Sequence, residues 1–184
     1  MNVPHERDLS NLVCCIQKPC NVPEREPKEG RDIMIVKKTS VFPSSRNEIF
    51  RKLQKLKTLQ YIASPYASFE PVGNTDEIWK EGSTSSYKFR LFGFIPFGTH
   101  TIHIIRFDEE QVSSHEGNEH VPVWNHDITM KPLDESHTEY TDQVEIKAGW
   151  KTVFIWIWAN AFYAHRQKKW IRLLSKNTKE EQHS

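Results

Sequence analysis

Between residues 69 and 147 apolar and polar positions alternate in short runs broken by turn-forming residues, whereas from Lys151 onward apolar positions recur at helical spacing. The alternating runs predict strands at 69–72, 83–94, 99–107, 111–116, 121–130 and 138–147, joined as antiparallel hairpins. An earlier β-branched run at 33–41, ending at Phe42-Pro43, predicts a first strand. Ser45 and Glu48 then stand at capping-box spacing, with Ile49, Leu53 and Leu56 on one helical face. Pro65 closes this helical region after a second short helix near 59–63. After Gly149, residues 151–175 contain neither glycine nor proline and predict one long helix. Strand, two helices, about six strands and a long helix make an α+β chain with one core.

Side-chain parity places two polar residues among apolar neighbours. On 138–147, Tyr140, Val144 and Ile146 share a face, with Glu139, Thr141, Gln143, Glu145 and Lys147 opposite, so Asp142 faces inward. On 121–130, Trp124, Ile128 and Met130 define the inner face and carry His126 with them. A hairpin turning at Leu133-Asp134-Glu135 sets Met130 opposite Thr138, Ile128 opposite Tyr140 and His126 opposite Asp142, with Cβ atoms about 4.5–5.5 Å apart. A buried carboxylate is costly alone, and an imidazole is a fitting partner. The pair reads either as a His–Asp dyad that acts as base or holds a ligand oxygen, or as a structural pair that fixes register. No nucleophile or electrophilic stabiliser accompanies it.

On the long helix Trp156, Ala159, Tyr163, Trp170 and Leu174 share a face that should meet the sheet. The opposite side carries Phe154, Ile157, Trp158 and Ala161, then His165, Lys168, Lys169, Arg172 and Lys176. An apolar stretch passing into a basic one suits a membrane surface, a contact between copies of the chain, or a covering segment such as the Leu12–Ile16 patch, and the cations also suit the helix dipole. Residues 92–98, Phe-Gly-Phe-Ile-Pro-Phe-Gly, read as an apolar turn that either lids a cavity or plugs the core.

Composition narrows the function classes. The 184 residues carry a formal charge of +1, so bulk electrostatics does not call for nucleic acid. No apolar run approaches the roughly 20 residues of a membrane span, and the patch at 12–16 is too short for a secretory core. Cys14, Cys15 and Cys20, odd in number, all fall in the N-terminal tail before residue 33, which argues against a disulfide framework and for the cytoplasm. The organisation is thus an irregular extension at 1–32, a domain at 33–176 and a polar tail at 177–184, with Met34 a candidate natural start. His100 and His103, three apart on a strand, point to opposite faces, and His115 and His120 flank a turn with no third ligand nearby, so no metal site is expected. No nucleotide loop or nucleophile motif asks for a cofactor.

The order of elements resembles the START-related or SRPBCC superfamily, which includes pollen-allergen-like proteins, lipid-transfer domains and polyketide cyclases. The resemblance spans 33 to about 176. It rests on the opening strand with Pro43-Ser44-Ser45, on Trp124-Asn125-His126, on residues 141–146 (Thr-Asp-Gln-Val-Glu-Ile), and on Ala148-Gly149 leading to the helix with His165-Arg166-Gln167. It implies a helix-grip fold, a curved antiparallel sheet wrapped around the C-terminal helix, with a cavity between them. An aromatic core alone would show the same residues; the small Ala159, the tyrosine hydroxyls and the resemblance together favour a cavity. Its expected wall is Tyr87, Phe89, Leu91, Trp124, His126, Ile128, Tyr140, Asp142, Trp156, Ala159 and Tyr163. The expected function is binding of a hydrophobic or amphipathic small molecule such as a lipid or polyketide-like compound. The alternatives are a cyclase, dehydratase or hydrolase-like enzyme using His126 and Asp142, and a membrane- or protein-docking module using Phe154, Ile157 and Trp158. A homo-oligomer is compatible with each.

Overall fold

The computed structural model describes residues 33–73 and 78–181. The cysteines and the 12–16 patch lie outside these residues. The elements run β1 (Met34–Phe42), α1 (Arg46–Leu53), α2 (Leu56–Ala63), β2 (Ala67–Pro71), β3 (Thr84–Leu91), β4 (Ile95–Phe107), β5 (Gln111–Gly117), β6 (Val123–Pro132), β7 (Thr138–Lys147) and α3 (Thr152–Glu181). One seven-stranded sheet has the order β1-β7-β6-β5-β4-β3-β2, with every neighbouring pair antiparallel. Chain order is kept from β2 to β7, and β1 closes the far edge against β7. This is the α+β helix-grip architecture.

Local chemistry sets the boundaries. Ser45 caps α1, its Oγ accepting from Glu48 N at 3.4 Å. The reciprocal half of the capping box gives way to ion pairs, since the Glu48 carboxylate turns to Lys52 at 3.0 Å and to Arg51. A 3₁₀ turn at Gly149–Lys151 leads into α3. There the Thr152 hydroxyl accepts from Ala148 N at 2.9 Å and donates to Gly149 O at 2.7 Å, tying the helix start to the end of β7. The helix continues through Glu181, so the tail expected from 177 begins as helix.

Two expectations are corrected. The apolar turn expected over 92–98 is shorter, residues 92–94: Phe92 and Gly93 both adopt positive φ (54° and 79°), which closes it tightly and lets Ile95 pair with Leu91 and Pro96 with Arg90. The β6–β7 connection is longer than expected. Leu133 N and Asp134 N both donate to His137 O, and Asp134 Oδ1 accepts from Ser136 N, so the loop occupies residues 133–137 and the ladder resumes with Pro132 opposite Thr138. Consequently Met130 faces Tyr140, Ile128 faces Asp142 and His126 faces Val144. The parity holds while the register moves.

Two apolar clusters fill the space between sheet and helix. Phe42, Ile49, Ile62, Met130, Tyr140, Trp170 and Leu174 form one, beneath the C-terminal half of α3, with Tyr140 stacked on Phe42 at 4.4 Å between ring centroids. The other, including Phe69, Phe89, Ile102, Ile104, Trp124, Phe162 and Tyr163, lies beneath the N-terminal half, where packing leaves a space.

Candidate ligand cavity

A cavity of about 190 Å³ lies between the sheet and the N-terminal half of α3. Its wall draws Phe89 and Leu91 from β3, Phe97, His100, Ile102, Ile104 and Phe107 from β4, Val112, Ser114 and Glu116 from β5, and Trp124, His126 and Ile128 from β6. The helix supplies Phe154, Ile155, Trp158, Phe162, Tyr163 and Arg166. Leu53, Leu59, Phe69, Trp79, Asn118 and Val121 complete it. Apolar side chains predominate, and the polar groups gather on adjacent strands and one turn of helix.

Those polar groups form a connected row. His100 Nε2 meets Glu116 Oε2 at 2.8 Å, and Ser114 Oγ donates to Glu116 Oε1 at 2.6 Å. His126 Nδ1 lies 3.7 Å from Glu116 Oε1, while its Nε2 meets Asp142 Oδ1 at 2.9 Å. Gln167 Nε2 donates to Asp142 Oδ2 at 3.1 Å, Tyr140 OH donates to Asp142 Oδ1 at 3.4 Å, and Arg166 approaches the same oxygen at 3.8 Å. Asp142 is fully buried (0 % exposed).

Burial opposes ionisation of both carboxylates, but their partners prevail. His100 and His126 hold Glu116 far below the usual range, and Arg166, His126 and Gln167 hold Asp142 below it. Burial likewise disfavours the His126 imidazolium and Arg166 repels it, yet Asp142 and Glu116 raise its pKa above the ordinary value. Arg166, despite burial, is held in its charged form by Asp142 and by Tyr140 and Tyr163. Burial pushes the Tyr140 and Tyr163 hydroxyls upward, so both stay neutral, Tyr140 donating to Asp142 and Tyr163 accepting from Trp124 Nε1. Each carboxylate thus faces two nitrogen partners, Glu116 meeting His100 and His126, and Asp142 meeting His126 and Arg166.

Of the residues expected at the wall, Phe89, Leu91, Trp124, His126, Ile128 and Tyr163 line the cavity. Tyr87, Tyr140, Asp142, Trp156 and Ala159 stand outside it. Tyr87 is buried, with its hydroxyl accepting from Trp79 Nε1 at 3.0 Å. Tyr140 belongs to the Phe42–Trp170 cluster, and Asp142 sits behind His126. Trp156 turns across the sheet edge, where its Nε1 donates to Ile35 O at 2.8 Å. Ala159 is buried but outside the wall. In its place Trp158 and Phe162, stacked at 4.9 Å, face the cavity. The curved sheet embraces a wider arc of the helix than a flat sheet would cover, which brings Trp158 inward from the side expected to be outer.

Phe154 both lines the cavity and stands 65 % exposed, and with Trp150 (80 % exposed), Val153 and Ile157 it forms an apolar patch beside the mouth. Lys169, expected on the basic continuation of that side, rests over the Tyr61 ring at 4.0 Å. His100 is buried while His103 is exposed and hydrogen-bonded to Thr84 at 2.7 Å, as their spacing requires. Among the described residues no helix is long and apolar enough to cross a membrane.

The fold is a helix-grip architecture, similar to that of solved START-like structures. The architecture matches a START superfamily protein from Mycobacterium smegmatis with a TM-score of 0.61 at 12 % identity, covering 77 % of this chain and 97 % of that one. It also matches a norcoclaurine synthase point mutant from Thalictrum flavum, in complex with a transition-state analogue, with a TM-score of 0.57 at 16 % identity, covering 79 % and 96 %. A hypothetical protein from Helicobacter pylori aligns with a TM-score of 0.62 at 12 % identity, covering 80 % and 91 %. At these identities the likeness is one of fold. Comparison with curated protein sequences gives no match. The chain belongs to the family described as a domain of unknown function, DUF8410, whose profile matches residues 70–174, more than half of its length.

Proposed function

We propose that this protein binds a hydrophobic or amphipathic small molecule, of a lipid or polyketide-like kind, in the cavity beneath the N-terminal half of α3. The observation that carries the reading is the cavity itself, an apolar and aromatic wall with a few convergent polar groups, which is the usual make-up of a ligand site. Phe89, Trp124, Trp158 and Phe162 supply apolar and ring contact, and His126 gives the wall polarity. Binding is favoured over base catalysis by the surroundings of His126. A general base needs a free lone pair, whereas both ring nitrogens of His126 face carboxylates, which raise its pKa. Native mass spectrometry of the purified protein, followed by denaturation and analysis of the released small molecule, tests the proposal. A stoichiometric apolar guest supports it, and an apo protein that also fails to take up any apolar compound removes it.

The exposed patch at the mouth supports a second role for the same helix, peripheral contact with a lipid surface from which an apolar ligand enters. Co-sedimentation with phosphatidylcholine vesicles should be lost in Phe154→Asp/Ile157→Asp. Absence of binding by the unmodified chain to neutral and anionic vesicles alike removes this role. The cysteine content favours a cytoplasmic location, which cell fractionation checks.

A further inference from the structure

Among the described residues, two buried N–H donors at the cavity wall lack hydrogen-bond partners: Arg166 Nε and Trp158 Nε1. Arg166 is only 6 % exposed, and its guanidinium lies over the Tyr163 ring, 5.4 Å from the centroid. Every other indole or imidazole group along this wall is engaged. Trp124 Nε1 donates to Tyr163 OH at 3.3 Å, Trp79 Nε1 donates to Tyr87 OH, and His100 and His126 meet the carboxylates. Buried donors are nearly always satisfied, so two orphans at one cavity mark where an acceptor belongs.

Charge decides what kind of acceptor. Each nitrogen that could carry charge at this wall already faces a carboxylate, His100 and His126 meeting Glu116 and His126 and Arg166 meeting Asp142, and Glu116 itself lines the cavity. An anionic ligand would add a buried charge without a counter-ion, beside a carboxylate. A neutral oxygen satisfies the N–H groups and leaves the balance intact.

We infer that the ligand is an uncharged apolar molecule bearing a carbonyl oxygen, as in a ketone, ester or amide, that accepts from Arg166 Nε, with a second acceptor oxygen suited to Trp158 Nε1. This rests on the cavity-binding reading and specifies its chemistry. The charged Arg166 is the stronger donor and is the principal recognition group. Trp158, half-buried nearer the N-terminal end of the helix, reads the other end of the ligand.

Isothermal titration calorimetry on the full chain with three naphthalenes of matched shape tests this: 2-acetylnaphthalene, 2-ethylnaphthalene and 2-naphthoate. Transfer from water favours the hydrocarbon, so a ketone that binds more tightly has met a donor. The ketone is expected to bind about ten-fold more tightly than either of the others. Arg166→Lys keeps a cation opposite Asp142 but removes Nε–H, and should bring the ketone down to the hydrocarbon. Should that variant unfold, the ligand comparison on the unmodified chain stands alone. Trp158→Phe, which keeps a ring, should spare the ordering of these single-acceptor probes while abolishing the extra affinity of 2,6-diacetylnaphthalene over 2-acetylnaphthalene. Equal binding of ketone and hydrocarbon, or preference for the acid, overturns the inference while sparing the cavity reading. Binding of none of the probes overturns both.

Discussion

His126 and Asp142 are joined by a diagonal contact across the β6–β7 ladder: Nε2 reaches Oδ1 at 2.9 Å although His126 stands opposite Val144 and Asp142 opposite Ile128. Side chains on one face of an antiparallel pair are within reach of diagonal as well as direct neighbours when they are long. The contact therefore survives a register that removes the direct opposition. It also frees His126 to approach Glu116 on its other side, so the imidazole bridges β5 and β7 from β6.

That bridge should matter to stability. His126→Ala leaves Glu116 and Asp142 buried with one fewer cation, and loss of one partner from a buried ion pair typically costs about 3–5 kcal/mol. Urea denaturation should show a loss of this order. A midpoint and slope unchanged from the unmodified protein would contradict the bridging role.

The pH dependence follows from the directions of the shifts. His126 is raised in the folded state, so its contribution is complete below its ordinary value of 6.5 and is lost as pH rises through the folded value. Glu116 and Asp142 are depressed, so theirs is complete above their ordinary values of 4.5 and 3.8 and is lost as pH falls through the folded values. The network therefore contributes most between about pH 4.5 and 6.5. Urea midpoints measured from pH 4 to 9 should decline on the alkaline side, and His126→Gln should flatten that decline. An alkaline limb identical in the variant would show that another group produces it.

Much of the fold is readable in the sequence because hydrophobic parity is a local property. Tyr140, Val144 and Ile146 name the inner face of β7 without reference to any other strand, and Ser45 names the start of α1. Register is different, since it depends on how residues 133–137 close, and that is set by the carboxylate of Asp134 and the carbonyl of His137. Helix faces behave likewise. The stripe of Ala159, Tyr163, Trp170 and Leu174 is buried, but how far the sheet wraps around α3 decides that Trp158 turns inward and Trp156 outward. Glu116, His100 and Arg166 were accessible to the same parity reasoning. His100 shares its face with Ile102 and Ile104, Glu116 with Val112 and Ser114, and Arg166 interrupts the apolar stripe of the helix between Tyr163 and Trp170. A lone charge on an otherwise apolar face is the signal that finds them.

The division between the two clusters predicts that their aromatic residues separate function from stability. Tyr140→Phe keeps the stack on Phe42 and loses only the hydroxyl shared with Asp142 and Arg166, which should cost about 1 kcal/mol. Phe89→Ala opens the cavity wall and should weaken ligand binding about ten-fold or more, besides costing about 3 kcal/mol of stability. Titration and denaturation of both variants check this. A Phe89→Ala variant that binds unchanged would move the ligand to the other cluster.

The six tryptophans offer the most direct test that the cavity holds the ligand. Trp79, Trp124 and Trp158 line it, whereas Trp150, Trp156 and Trp170 do not. Indole N–H signals in ¹H–¹⁵N spectra, assigned by single Trp→Phe substitutions, can be followed while 2-acetylnaphthalene or the co-purified guest is added. Saturable shifts at Trp79, Trp124 and Trp158, with Trp156 and Trp170 still, are the expected result. No saturable shift, or shifts confined to Trp150 on the surface, would contradict the account.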